Sequence, residues 1–195
     1  RQRQMCIRDS TNGDGIPDTG DGVITDDDRT TIGDGLPKCT GGFTNSFTYK
    51  NWDLSIFLQW SLGNDILNAN RMVFENPAKK KNTNMFASYA GRWTPENSSS
   101  DMPRANALGS NEYSSLYVED GSFLKLKTIS LGYNFSAAML KKAHISSARV
   151  FVSAENIATI TGYSGSDPEV STRNSVLTPG FDWSAYPRSF NASIG

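Results

Sequence analysis

The chain has few of the residues on which small cross-linked domains and metal proteins depend. Its 195 residues include only two cysteines, Cys6 and Cys39, and one histidine. Two such cysteines give neither a disulfide framework nor a metal-ligand pattern. Lys and Arg total 19 against 20 for Asp and Glu, and the net charge of -1 argues against a general nucleic-acid binder.

Long apolar runs and catalytic motifs are also missing. No run approaches the roughly 20 apolar residues that a membrane-spanning helix needs. The sequence contains no nucleophile–base pair, HExxH motif, P-loop or dinucleotide fingerprint. The one histidine, His144, lies in a polar stretch beside Lys141 and Lys142. Nothing in the sequence therefore supports an enzymatic activity.

The chain does contain strict alternation between residues 52 and 60. One parity is wholly apolar: Trp52, Leu54, Ile56, Leu58 and Trp60. The other parity holds Asp53, Ser55 and Gln59, and Phe57 is the exception. Because successive side chains of a strand point to opposite faces, this segment predicts a strand with one apolar face. That face can pack on a soluble core, or it can face lipid in a transmembrane barrel with a tryptophan at each headgroup level.

Further alternating segments predict an all-β chain of about five antiparallel strands, at residues 42–50, 52–60, 122–133, 148–157 and 188–195. Lys50 and Asn51 form a short polar turn, so the first two strands should make a hairpin. The parity slips between Leu126 and Ile129, which predicts a β-bulge. Residues 63–115, with one short helix near 67–75, and residues 161–186 are long polar excursions. Short turns that alternate with long loops are typical of outer-membrane barrels.

The two ends of the chain depart from this pattern. Residues 1–10 share no pattern with the rest of the chain. Residues 5–10 (MCIRDS) resemble the translation of a sequencing-adaptor read. We expect residues 1–10 to be foreign sequence. The chain stops at Gly195 within an alternating run, so we expect residues 11–195 to be one piece of a barrel that is truncated before its final strand ends.

Five ordered blocks resemble the C-terminal part of the SusC/RagA-type TonB-dependent outer-membrane transporters of Bacteroidetes. They are residues 20–33 (GDGVITDDDRTTIG), 40–49 (TGGFTNSFTY), 92–97 (RWTPEN), 118–134 (with VEDGSFLKLK and LGYN) and 150–170 (with VFVSAEN, YSG and DPEV). Their order and spacing match the family over nearly all of residues 12–195.

The resemblance implies a fold, a function and partners. The family's whole protein is a plugged 22-stranded barrel, of which this chain would supply the last strands and two extracellular loops. The barrel works with a SusD-like surface lipoprotein and imports oligosaccharides or peptides, driven by the TonB complex. TonB would act through an N-terminal region that is absent from this chain.

The segment rich in Asp and Gly is the best candidate for bound metal. Counted from Ser10, four side chains fall on the ligand positions of an EF-like calcium loop: Asn12, Asp14, Asp18 and Asp21. Gly15 falls on the required sixth position, but Ser10 and Pro17 depart from the pattern. Two interpretations remain open, a structural calcium site and a solvated turn.

Arg92 and Trp93 are the candidate residues for substrate or partner contact. They lie in the first long excursion, where an aromatic ring beside a cation could stack on a sugar or peptide. The competing interpretation is that the pair packs its own loop.

We therefore expect a barrel segment of an outer-membrane nutrient importer. The alternative is a secreted, calcium-stabilised β-sandwich that binds carbohydrate. It predicts that Trp52, Leu54 and Leu58 are buried by a second sheet within this chain.

Overall fold

The computed structural model describes residues 31–75, 84–100, 102, 104, 113–141, 144–170 and 179–195. These residues fall into two compact units. The large-sheet unit comprises Pro37–Asn64, Gly121–Glu169 and Tyr186–Gly195. The small-sheet unit comprises the described residues within Arg1–Leu36, Asp65–Asp120 and Val170–Ala185.

Strands make up most of the regular structure. In chain order they are β1 (Cys39–Tyr49), β2 (Trp52–Leu62), β3 (Asp65–Asn68), β4 (Val118–Asp120), β5 (Phe123–Asn134), β6 (Arg149–Thr161), β7 (Phe181–Asp182) and β8 (Asn191–Ile194). The short helices are α1 (Ala69–Phe74), α2 (Ala137–Leu140) and the 3₁₀ turns Ala87–Gly91 and Ser115–Tyr117. No helix among the described residues is long and apolar enough to cross a membrane.

The large sheet has the strand order β1-β2-β5-β6-β8, and each neighbouring pair is antiparallel. The all-β prediction and its five strands are confirmed, with boundaries that differ by a few residues. The predicted hairpin is also confirmed, because Tyr49 pairs with Trp52 across Lys50 and Asn51. Lys50 has a φ of 53°, so this two-residue turn needs a left-handed residue.

The predicted β-bulge lies at Lys127. Leu58 of β2 pairs with Leu126, whereas the preceding residue, Phe57, pairs with Thr128, so Lys127 is the extra residue. The register of β5 against β6 shifts at the same place. On β6, Asn156 has a φ of 54° there, and its side chain donates to the carbonyl of Ser189. Asparagine suits this position because it tolerates the left-handed region better than most residues.

Two consecutive glycines of β1 make room for two aromatic rings of β2 on opposite faces of the sheet. A Cβ at Gly41 would overlap the Trp60 ring, and a Cβ at Gly42 would lie 2.9 Å from Cε2 of Phe57. Each ring therefore lies against backbone that carries no side chain. Such packing of an aromatic ring over a strand glycine covers an otherwise weak point in the sheet.

The small sheet has the order β4-β3-β7, in which β3 is antiparallel to β4 and parallel to β7. The short helix predicted near residues 67–75 is confirmed as α1, with Asn68 accepting a bond from the Arg71 amide. Ala69 and Met72 of α1 pack with Tyr117 in a small core. The three strands were not predicted, because segments of two to four residues show no alternation.

A first prediction concerns Gly41. In the folded full-length protein, Gly41→Ala should displace the Trp60 ring and lower the free energy of unfolding by about 1–3 kcal/mol, the usual cost of overpacking. Denaturant unfolding followed by tryptophan fluorescence measures it. Gly91→Ala is the control, since no heavy atom lies within 4 Å of its Cβ position. Equal stability of both variants would contradict the packing described.

Candidate functional site

The large sheet has one apolar face that runs across its five strands. Residues paired across the strands share this face, for example Phe47, Leu54, Leu131, Val152 and Ile194. Several of its side chains are about half exposed: Phe47 is 53% exposed, Trp52 48% and Val152 47%. A soluble protein seldom exposes so many large apolar side chains on one surface. The face is therefore suited to an apolar environment.

Aromatic residues lie at both ends of this face. At the hairpin end, the ring centroids of Trp52 and Tyr133 are 4.8 Å apart, and Tyr49 pairs with Trp52 in the register. Tyr133 also meets Phe135 edge-on at 5.2 Å. At the opposite end of β2, Trp60 lies on the same face. Aromatic residues at both borders of an apolar band are typical of transmembrane strands.

The opposite face is polar and carries a row of serines. The register aligns one serine from each strand: Ser46, Ser55, Ser130, Ser153 and Ser193. The hydroxyls of Ser153 and Ser193 are 2.7 Å apart. This serine row gives the middle of the polar face small side chains that can both donate and accept hydrogen bonds.

Charged side chains flank the serine row on the hairpin side. Asp53 of β2 pairs with Arg149 of β6 at 2.5 Å and accepts a bond from Asn134. Gly132 lies between them, and a Cβ there would be 2.6 Å from Nη2 of Arg149. Because Gly132 has no side chain, the ion pair between Asp53 and Arg149 can cross directly over β5.

A second group of charges lies toward the other end of the polar face, around Lys125. Its ammonium contacts Asp167 at 3.1 Å and Glu169 at 3.1 Å, although only 2% of the lysine side chain is exposed. Lys127 contacts Glu169 at 3.5 Å and donates to Gln59 at 2.6 Å. We call this group, completed by Arg188, the lysine cluster.

The carboxylates of the lysine cluster belong to the segment after β6. Residues 162–169, which we call the strap, fold back so that Asp167 and Glu169 reach β5. Arg188, just before β8, contacts Glu169 at 3.5 Å and Asp167 at 4.0 Å. Cations from two separated parts of the chain therefore bind the same two carboxylates.

The lysine cluster shifts the ionisation of Glu169. Burial alone would raise the pKa of its carboxyl group. The hydrogen bond from Lys125 and the charges of Lys125, Arg188 and Lys127 outweigh burial, so the pKa lies below its usual value. Glu169 therefore keeps its charge, and its ion pairs, in mildly acidic solution.

The small-sheet unit has an ion cluster of its own. Arg71 of α1 contacts Glu75 at 3.0 Å and Glu119 at 2.9 Å, and Ser88 donates to Glu75 at 2.6 Å. Burial lowers the pKa of Arg71, but the two carboxylates more than compensate and raise it overall. Burial and the charge of Glu75 raise the pKa of Tyr117 to about 12. These contacts fix α1 to β4 and to the 3₁₀ turn Ala87–Gly91.

The same unit carries an open groove of about 290 Å³. Its lining includes Gly33, Asp65, Val118, Tyr113 and Gly180. Tyr113 is 69% exposed, and the Asp65 carboxylate accepts a bond from the Asp34 amide at 2.9 Å. The groove is at the lower limit of the volumes typical of ligand pockets.

Arg92 and Trp93 lie in a turn that is held by its own polar contacts. The Arg92 guanidinium lies 5.2 Å from the centre of the Tyr89 ring, and the Trp93 amide donates to the Met102 carbonyl. Asn97 donates to the carbonyls of Gly91 and Arg92. Their role in substrate or partner contact stays a prediction.

The predicted calcium ligands Asn12, Asp14, Asp18 and Asp21 lie outside the described residues. Within residues 31–75, 84–100 and the later described ranges, no group of three or more His, Cys, Asp or Glu side chains could hold a metal ion. The calcium site therefore stays a prediction from sequence.

Sequence reasoning did not find the lysine cluster. A signal was present, since Lys125 and Lys127 alternate with Leu124 and Leu126 at the start of β5. Asp167 and Glu169 come after the next strand, two residues apart. Their meeting depends on how the strap folds back, which alternation does not specify.

Comparison with known proteins gives consistent relatives, although no protein-family model matches the chain. TonB-dependent receptor P3 of Formosa agariphila is 37% identical over 181 residues, which are 90% of this chain and 18% of the receptor. TonB-dependent receptor SusC of Bacteroides thetaiotaomicron is 30% identical over 186 residues, 94% of this chain and 16% of the receptor.

Solved structures agree with the sequence relatives. The RagAB peptide importer in its open-open state matches with a TM-score of 0.74 and 26% identity, over 92% of this chain and 19% of that one. The closed-closed state gives a TM-score of 0.73 over 88% of this chain and 18% of that one. The chain thus spans less than a fifth of the length of these relatives.

A second prediction concerns Glu169. A lowered carboxyl pKa contributes stability that is full above the usual value of 4.5 and is lost as the pH falls through the lowered value. Glu169→Gln should therefore lower the unfolding temperature of the full-length protein at pH 7. The gap between the two proteins should close below pH 4.5. Thermal unfolding in detergent from pH 7 to pH 3 measures the gap, and a constant gap would contradict the assignment.

Proposed function

Because this chain is a segment of a SusC/RagA-type TonB-dependent receptor, we propose that its large sheet is part of the wall of an outer-membrane β-barrel importer. The observation that carries the proposal is the exposed apolar face bordered by aromatic residues. An integral barrel turns such a face to lipid and keeps its polar side chains inside. The relatives are named as receptors and importers, which supports a role other than catalysis.

The two faces then have different tasks. The apolar face, with Trp52 and Trp60 near its ends, anchors the sheet in the bilayer. The polar face, with the serine row and the lysine cluster, lines the interior. Residues 63–115 make up most of the connection between β2 and β5, and their length supports a position at the extracellular mouth.

The family supplies the rest of the proposal. The whole protein would import an oligosaccharide or a peptide through the outer membrane, driven by the TonB complex. A SusD-like surface lipoprotein would be its partner at the extracellular mouth. One of the structural relatives is described as a peptide importer, and SusC is among the sequence relatives, so the proposal includes both substrate classes.

The alternative, a β-sandwich, is not favoured. It requires a second sheet to bury Trp52, Leu54 and Leu58. Trp52 is 48% exposed, and neither leucine is buried.

A third prediction tests which face meets lipid. Ile56 and Ser55 are neighbours in the middle of β2 and lie on opposite faces. Ile56→Lys places a charge on the apolar face and should destabilise the folded full-length barrel by about 2–4 kcal/mol, the cost of lysine near the bilayer midplane. Ser55→Lys is the matched control and should be tolerated. Urea unfolding in lipid vesicles measures both, and an equal cost would contradict the assignment of faces.

A fourth prediction tests the whole function. The full-length gene is expressed together with its neighbouring reading frame, and the membranes are fractionated. We expect a band in the outer-membrane fraction whose gel mobility changes on heating, as folded barrels show, and a lipoprotein that co-purifies with it. A soluble, monomeric product would overturn the proposal.

A further inference from the structure

We propose that the strap, residues 162–169, is a latched segment of the interior wall and that the lysine cluster is its latch. The sequence had predicted an extracellular loop for these residues. The inference rests on the proposed function in one respect, that the polar face of the large sheet is the interior face. The latch itself rests only on contacts within the large-sheet unit.

The burial of Lys125 is the first argument. A lysine on an open, hydrated sheet face would extend into water, yet this side chain is only 2% exposed. The strap covers it, because Asp167 accepts two hydrogen bonds from the Lys125 ammonium, at 3.1 and 3.3 Å. Removing one partner of a buried ion pair leaves the other charge uncompensated, which is strongly destabilising. The docked strap and the buried lysine therefore depend on each other.

The second argument is that the latch is fastened from two sides. Lys125 and Lys127 belong to β5, whereas Arg188 precedes β8 at the far edge of the sheet. All three reach Glu169, at 3.1, 3.5 and 3.5 Å. The bulge at Lys127 contributes here, since an extra residue redirects the side chains beside it. The strap is thus tied to the sheet across β6, the strand from which it emerges.

The third argument is that the strap is already shaped for docking. A Cβ at Gly165 would overlap the Tyr163 ring, so the strap folds closely around this buried tyrosine. The Glu169 amide donates to Asp167 at 2.9 Å, which orients the two carboxylates together. The Tyr163 amide donates to Thr161 at 3.1 Å. A segment ordered in this way docks or lifts as a unit.

Lifting would expose Tyr163, which is 5% exposed when the strap is docked. Chymotrypsin cleaves after tyrosine, so cleavage after Tyr163 reports the lifted state. The experiment uses the folded full-length protein in detergent, and mass spectrometry identifies the fragments. Lys125→Met keeps the length of the side chain but removes the cation. We expect cleavage after Tyr163 to become at least about tenfold faster, since cleavage follows the population of the open form.

Asp167→Asn and Glu169→Gln should also accelerate this cleavage, whereas Lys141→Met is the matched control and should leave it unchanged. Lys141 is an exposed lysine of the same unit. Equal cleavage in all five proteins would overturn the latch. If Lys125→Met loses the heat-modifiable band of a folded barrel, the comparison of Glu169→Gln with Lys141→Met decides, because Glu169 is only partly buried.

The two proposals can fail separately. If the full-length protein is soluble but shows the expected cleavage pattern, the result would support the latch and overturn its place in a barrel interior. If the protein is a heat-modifiable outer-membrane protein but its variants are cleaved at the same rate, the result would support the barrel and overturn the latch.

Discussion

The register of the large sheet is the constraint on which the rest of the structure depends. Side chains alternate with a period of two, so a slip of one residue would move every apolar side chain of a strand to the polar face. Here the register is fixed by the tight turn at Lys50, by the bulge at Lys127 and by two aromatic rings on Gly41 and Gly42. The separation of an apolar face from a polar face results from these few contacts.

Most of the charged side chains on the polar face are held in ion pairs. Asp53 pairs with Arg149, and the lysine cluster pairs three cations with two carboxylates. Between the two groups lie the serine row and the neighbouring row of Thr44, Phe57, Thr128 and Glu155. The paired charges hold chain segments in place on either side of these two rows.

Alternation was enough to predict the five strands, the hairpin and the bulge, because each leaves a mark on the parity of a single segment. The small sheet was missed because β7, with two residues, is too short to show a period. The lysine cluster was missed for a different reason. Lys125 and Asp167 are 42 residues apart, and their contact depends on the path of the strap after β6. Arg92 and Trp93 could be located in a loop from sequence, but the contact with Tyr89 required the fold.

The serine row has one more consequence. A serine hydroxyl can exchange the roles of donor and acceptor by rotating about a single bond, without moving its backbone or displacing a neighbouring side chain. Five such groups lie at one level of the sheet, and the hydroxyls of Ser153 and Ser193 are within hydrogen-bond distance of each other. If the proposed importer carries a polar substrate past this band, the substrate would meet several weak, interchangeable hydrogen-bonding groups in place of one strong binding group.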